Sequence, residues 1–494
     1  MTHLMRTASG LAILAATSML ATTAMSADLG GNCCTDLEER VAELEATTVR
    51  KGNRKVSLQL YGQVSESVIW WNDGAESNVY VQENNLVKNT LGVQGSAKIT
   101  SDWSAGYKME LQIRAYRSSN ASQLALGATN NLSIPAFNTQ SVSLRHAYWY
   151  LQSNHYGRIT VGRDVDSTVG TGSISLVSPD GFSGASGPGF AQGGFFLRRA
   201  GTVGNAGLST RTWQSAAWLN NGDGPLPFDY AQTKGLVKYT SPFFLGQSKS
   251  SGFQFSSDWG ADDAWGVALR YAEEFGSFRF AAGIGYQDFS GPDRGFCSDR
   301  TNGAPTGVPS TDSGSGINCN SLQMSASALH TPTGLFVSGG YSELNNRNAA
   351  RTAALAVNAA QLPGISGKSD LWWIMAGWQA KLNPLGNTIF YGQYVDLQTG
   401  VNATNGQIAV GTNVLAAADP INSIGAAAFI RSASTQAWGL GVSQNVDAAA
   451  MTLYAGFHNV STDIRLGQIG GAARANSNPI DDFQVFYTGA TIRF

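Results

Sequence analysis

Charge is what this chain has least of. Asp, Glu, Lys and Arg make up 13% of its residues, where soluble domains average about 25%. The two signs nearly cancel, leaving a net charge of −2, so nothing suggests nucleic acid as a partner. Histidine is scarce as well: His3, His146, His155, His330 and His458 are all there is. None lies in a nucleophile elbow or a His-Glu-x-x-His metal motif, so the sequence carries no enzyme signature. Long apolar runs are missing too. The longest, Leu11 to Leu20, is short of the ~20 residues a spanning helix needs. No Pro-rich linker or break in composition divides the chain, although its length alone would suggest several domains.

What is present begins with an export signal. Arg6 gives a positive n-region, Leu11 to Leu20 an apolar h-region, and Ala24-Met25-Ser26-Ala27 a small-residue cleavage site. Cleavage is expected after Ala27, with Ser26 the second choice. Asn32 stands before Cys33, which argues against a lipoprotein signal. Losing residues 1–27 removes one base and no acid, moving the net charge from −2 to −3. The chain also holds 58 Gly and 10% aromatics. A membrane β-barrel accounts for both the excess Gly and the shortage of charge: its turns favour Gly and its outer face must shed charge.

Strand periodicity supports that reading. From Val56 to Ser65, even positions are apolar or Gly and odd ones polar apart from Tyr61, and the phase resumes at Val68 and Trp70. Phe278 to Gln287 repeats the pattern, with large residues on even positions and Arg279, Ala281, Gly283 and Gly285 between them. Period two is the mark of a strand with one apolar and one wet face. Runs of this kind fall near 56–70, 89–100, 104–116, 141–152, 157–164, 234–241, 249–258, 265–273, 277–288, 320–330, 334–343, 370–381, 387–397, 434–445, 450–459 and 482–494. Short connections such as Ser101-Asp102-Trp103 alternate with long Gly/Ser/Ala/Asn-rich ones such as 165–233 and 289–319. The expected fold is all-β: a 16-stranded antiparallel transmembrane β-barrel with short periplasmic turns, long extracellular loops and a short N-terminal periplasmic helix. The last strand ends on Phe494, a terminal aromatic that serves such barrels as a signal to their assembly machinery. With the export signal, this places the chain in the outer membrane of a Gram-negative bacterium, in contact with its lipid.

Several pairs of runs resemble the general diffusion porins. Asn89 to Gly95 with Gly106 to Glu110 looks like their second and third strands, and Arg145 to Leu151 with Gly157 to Arg163 like the fourth and fifth. Lys238 to Gly246 resembles the sixth strand and its turn. The N-terminal stretch from Cys33 to Ala46, followed by Arg50 to Val56, is specifically similar to the porins of alphaproteobacteria. The resemblance implies a homotrimer of barrels that passes small hydrophilic solutes passively. It divides the chain into a signal peptide (1–27), a periplasmic segment (28–55) and a porin barrel (56–494). Thr90 departs from the pattern, standing where many general porins carry a base.

The resemblance also makes the loop after the fifth strand, from about Asp164 to Arg199, the one that folds into the barrel and narrows it. Its acids are Asp164, Asp166 and Asp180. An opposing basic wall is expected from lumen-phase Lys108, Arg114 and Arg145, with Arg198 and Arg199 either joining it or anchoring the loop. Acid facing base across a gap sets up a transverse field that orients dipolar solutes. The alternative is that these charges pair structurally or line a broad vestibule. No cofactor is expected. A calcium ion at the constriction stays open through Asp164 and Asp166, but no regularly spaced oxygen ligands follow them.

Three further features complete the reading. Residues 35–50 form the one good helix, capped by Thr35 with Glu38 and carrying Leu37, Val41, Leu44 and Thr48 on one stripe; it suits a short three-chain coiled coil or a helix packed under its own barrel. Cys297 and Cys319 bracket an outward loop and are expected to form a disulfide, while Cys33 and Cys34 belong to the opposite side. Trp70, Trp71, Trp103, Trp265, Trp372 and Trp373 fall near strand ends, where aromatic girdles sit. A substrate-selective channel for sugar, phosphate or a similar solute, and an adhesive barrel working through its loops, are the alternative functions.

Overall fold

The computed structural model describes residues 56–113, 118, 121–124, 142–179, 181–216, 234–260, 264–288, 319–346, 366–400, 414–469 and 471–494. The signal peptide, the helix at 35–50, Cys33, Cys34, Arg114, Asp180 and Cys297 lie outside them, as does the side chain of Cys319. Among the described residues, no helix is long and apolar enough to cross a membrane. The chain crosses with strands instead.

Those strands are β1 Gln59–Asn72, β2 Asn89–Lys98, β3 Trp103–Ile113, β4 Val142–Ser153, β5 Gly157–Asp164 and β6 Lys234–Thr240. They continue as β7 Gly252–Gly260, β8 Trp265–Phe275, β9 Phe278–Asp288, β10 Cys319–His330 and β11 Leu335–Asn346. The last five are β12 Lys368–Asn383, β13 Gly386–Thr399, β14 Ala428–Val446, β15 Met451–Gln468 and β16 Phe483–Arg493. Each pairs antiparallel with its neighbours in sequence. The ring closes where β1 meets β16, in register from Gln63↔Arg493 to Asn72↔Gln484. Closure satisfies the ladder hydrogen bonds of every strand, which is what lipid demands of a spanning structure.

Inside and outside are inverted relative to a soluble protein. On β1, Leu60, Val64 and Val68 point outward and are exposed, while Ser65 and Ser67 are buried within. On β9, Phe278, Phe280 and Ile284 form the outer face. Two of the tryptophans expected in the girdles turn inward instead: Trp71 and Trp373 are 2% and 3% exposed. Trp103 and Trp372 do face outward. Strands β14 and β15 also run well past the expected 434–445 and 450–459, because their upper parts carry polar alternation that reads as loop.

The chain after β5 supplies the core. It hugs the inner wall from strand to strand. Arg270 on β8 donates to the Ser167 and Val169 carbonyls at 2.8 and 2.6 Å. On β10, Ser325 and Ser327 accept from the Ile174 and Leu176 amides. On β12, the Trp373 indole donates to the Gly172 carbonyl at 2.9 Å. On β13, Gln393 accepts from the Gly184 amide at 2.6 Å. Glycines make the bed for this path: a Cβ at Gly283 would sit 2.6 Å from Ile174, and one at Gly285 2.6 Å from the Thr171 hydroxyl. A short helix, α1 Gly187–Gln192, leads to Phe195, whose ring packs 5.0 Å from Trp71 and 4.7 Å from Phe483. The wall from β7 to β13, and then β16, is covered. The lumen faces of β3 to β6 carry the charge.

Candidate functional site

The lumenal charges on β3 to β6 are set by strand phase and one irregularity. Met109, Leu111 and Ile113 of β3 face outward, so Lys108, Glu110 and Gln112 face in. Opposite them, the β3–β4 register jumps from Glu110↔His146 to Leu111↔Leu144. Arg145 is the extra residue of this β-bulge, which turns two consecutive side chains, Arg145 and His146, toward the lumen.

Glu110 gathers its neighbours. Arg145 donates to it at 2.6 Å and the Tyr61 hydroxyl at 2.8 Å, and the Lys108 ammonium stands 3.2 Å away. His146 lies 3.9 Å from the same carboxylate and 2.9 Å from Asp164. Lys238 closes the chain, reaching Asp164 at 2.6 Å and the Val165 carbonyl at 2.9 Å. The network thus runs continuously from β3 to β6. Pairs of this kind, satisfied on all sides, hold side chains in fixed positions along a wet wall.

This arrangement corrects the expected opposition of acid and base. Asp164 ends β5 on the same wall as Lys108 and Arg145 and is joined to them through His146, so the pair does not span the pore. Asp166 is 1% exposed; it accepts from the Thr168 amide and hydroxyl and from Gln287 of β9. It ties the root of the inner loop to the wall and does not face a gap. Arg198 is not part of the basic wall either. Buried at 1% exposure, it donates to Asp73 at 2.8 Å and the Gly204 carbonyl at 2.8 Å, with Glu76 at 3.3 Å. It anchors the returning loop to the segment that follows β1. Arg199 is exposed, and its amide donates to Gly207. Among the described residues, no group of three or more His, Cys, Asp or Glu is placed to hold a metal ion.

Sequence reasoning missed Glu110, His146, Arg158 and Lys238. The first and the last two share the lumen phase of their strands, a signal present in the alternation. His146 shares it too, in step with Tyr148 and Gln152, whereas the inward turn of Arg145 needs the bulge, which alternation does not reveal. Of these, His146, Arg158 and Lys238, together with Lys108, Tyr148 and Asp164, line a cavity of about 1030 Å3 that opens toward the turns at 154–156 and 241–249. At the same end, Phe494 pairs with Gly62 through both backbone groups, at 2.9 and 3.0 Å, and leaves its ring exposed on the outer face.

Comparison with known proteins follows the same lines. A family model described as Gram-negative porin matches residues 10–463. No curated protein matches the chain in sequence. Among solved structures, the chain is similar to an anion-selective porin from Comamonas acidovorans, at 14% identity and a TM-score of 0.48, covering 89% of this chain and 100% of that one. It is also similar to OmpT, an outer membrane protein of Vibrio cholerae (13% identity, TM-score 0.46, 90% and 99% covered). OmpF of Salmonella typhi, in complex with daunomycin, aligns at 15% identity and a TM-score of 0.44, covering 89% and 98%.

Proposed function

Since the chain belongs to the Gram-negative porin family, and so forms a passive diffusion channel across the outer membrane, we propose how its lumen works. Solutes pass between the loop that follows β5 and the charged wall of β3 to β6. One observation carries this reading: among the described residues, the loop is bonded to the inner faces of β8 to β13 and leaves the β3–β6 wall lining a cavity with water-seeking groups. A pore of this type discriminates by size and charge and holds no solute tightly. The narrowing element is the loop from Asp164 onward, with Asp166 securing its root and Arg198 its return. Three barrels assemble as a homotrimer, and the N-terminal stretch from Cys33 to Ala46 supports a place among the alphaproteobacterial porins.

Liposome swelling tests the reading. Neutral sugars of increasing size are expected to enter at rates that fall smoothly with size and rise linearly with concentration. Saturation by one sugar, with exclusion of others of equal size, would favour the substrate-selective channel instead.

A further inference from the structure

The cavity at the turn end of the barrel has an unbalanced lining. Its walls hold Lys108, Arg158, Lys238 and Lys249 against a single acid, Asp164. That acid is already engaged by His146 and Lys238 at 2.9 and 2.6 Å, and Lys108 is drawn to Glu110. Arg158 differs from the other cations. Among the described residues no carboxylate pairs with it. Its guanidinium lies 3.7 Å above the Tyr150 ring and 5.5 Å from that of Tyr148. Its Nε donates to the Thr160 hydroxyl at 3.2 Å, and the Tyr148 hydroxyl accepts from the same guanidinium.

These contacts fix the guanidinium plane and take up two of its five N–H donors, leaving the others for a ligand. Stacking on an aromatic face is a mode open to Arg and not to Lys, and it leaves the in-plane N–H donors available. Two parallel N–H groups match the oxygens of a carboxylate or phosphate. A side chain already held in its binding geometry gives up little entropy when a ligand arrives. The surrounding ammonium groups raise the local concentration of anions inside a low-dielectric wall.

We propose that the vestibule at the periplasmic end is a docking station for small dianions bearing carboxylate or phosphate groups, with Arg158 as the bidentate anchor. The inference rests on the channel reading above and goes beyond it: a weakly selective pore gains a site that delays one class of solute on its way through. Asp164, Lys238 and Lys249 shape the potential there, and Arg158 supplies the directional contact.

Planar-bilayer recording separates the two claims. Open steps in KCl alone establish the channel; their absence overturns the reading on which this inference rests. Inorganic phosphate added on the turn side is then expected to reduce the chloride-carried current saturably in the wild-type protein. Charge-assisted bidentate contacts are worth about 1.5–3 kcal/mol, so R158Q is expected to raise the half-blocking phosphate concentration roughly tenfold or more. R158K keeps the charge but loses the fork, and should fall between the two. Open KCl steps from each variant show that it has folded. Phosphate block that is absent in the wild type, or unchanged in both variants, overturns the proposal. Equal loss in R158K and R158Q supports the fork as the essential feature, and full retention in R158K contradicts it.

Discussion

Glu110 shows how one residue sets the character of this pore. Its carboxylate is 3% exposed, yet it faces two cations and a hydroxyl at 2.6 to 3.2 Å. It survives burial as a charge because its acceptor positions are filled, and Lys108 and Arg145 keep their places because of it. E110Q keeps the shape and removes the charge. The wall then carries two uncompensated cations, and the reversal potential in a KCl gradient is expected to shift toward chloride. Leaving charged donors with a weaker partner should also lower stability by about 1–3 kcal/mol. An unchanged reversal potential would mean that Glu110 lies outside the path of ions. Lys108 was legible as a lumenal base from strand phase alone, while Arg145 stands in step with outward Trp149 and Leu151 and reaches the lumen only through the bulge. Glu110, two residues from Lys108, carried the same signal and was passed over. The partnership of Asp164 with His146 follows from the β4–β5 register, in which Ala147 faces Arg163, and that pairing is not written in the alternation of either strand.

At the scale of elements, the inner loop and its bed were made for each other. Gly283 and Gly285 on β9, and Ser325 and Ser327 on β10, read in the sequence as featureless small residues on the wet face. In the fold they are the trough into which Thr171, Ile174 and Leu176 settle. Trp71 and Trp373 were expected at membrane interfaces from their place near strand ends, although Trp71 is out of step with the apolar positions Val68 and Trp70. Their burial against the loop follows from an inner surface that had to be covered. The strands themselves were legible because lipid on one side and water on the other impose period two on every crossing. G285V tests the trough. A side chain there meets Thr171 and Thr168 at 2.6 to 3.1 Å, so the loop must lift into the lumen. Single-channel conductance is expected to fall, with more frequent closures as the loop loses its bonds. A conductance equal to wild type would show that the loop does not bound the passage.

Across the whole molecule, the closed ring of sixteen strands turns a chain of low charge into a vessel with an apolar exterior and a charged interior. The same alternation serves both surfaces. The loop then divides the interior unequally, sealing the β8–β13 side and leaving the β3–β6 side wet. The central claim is that this leaves a water-filled passage, and single-channel conductance of the purified, unboiled protein across a salt gradient tests it most directly. Large steps arriving in threes and scaling with bulk salt are the result expected of an open trimeric barrel. Small, rare or saturating steps would contradict it, and would mean that the loop occludes the lumen instead of bordering it.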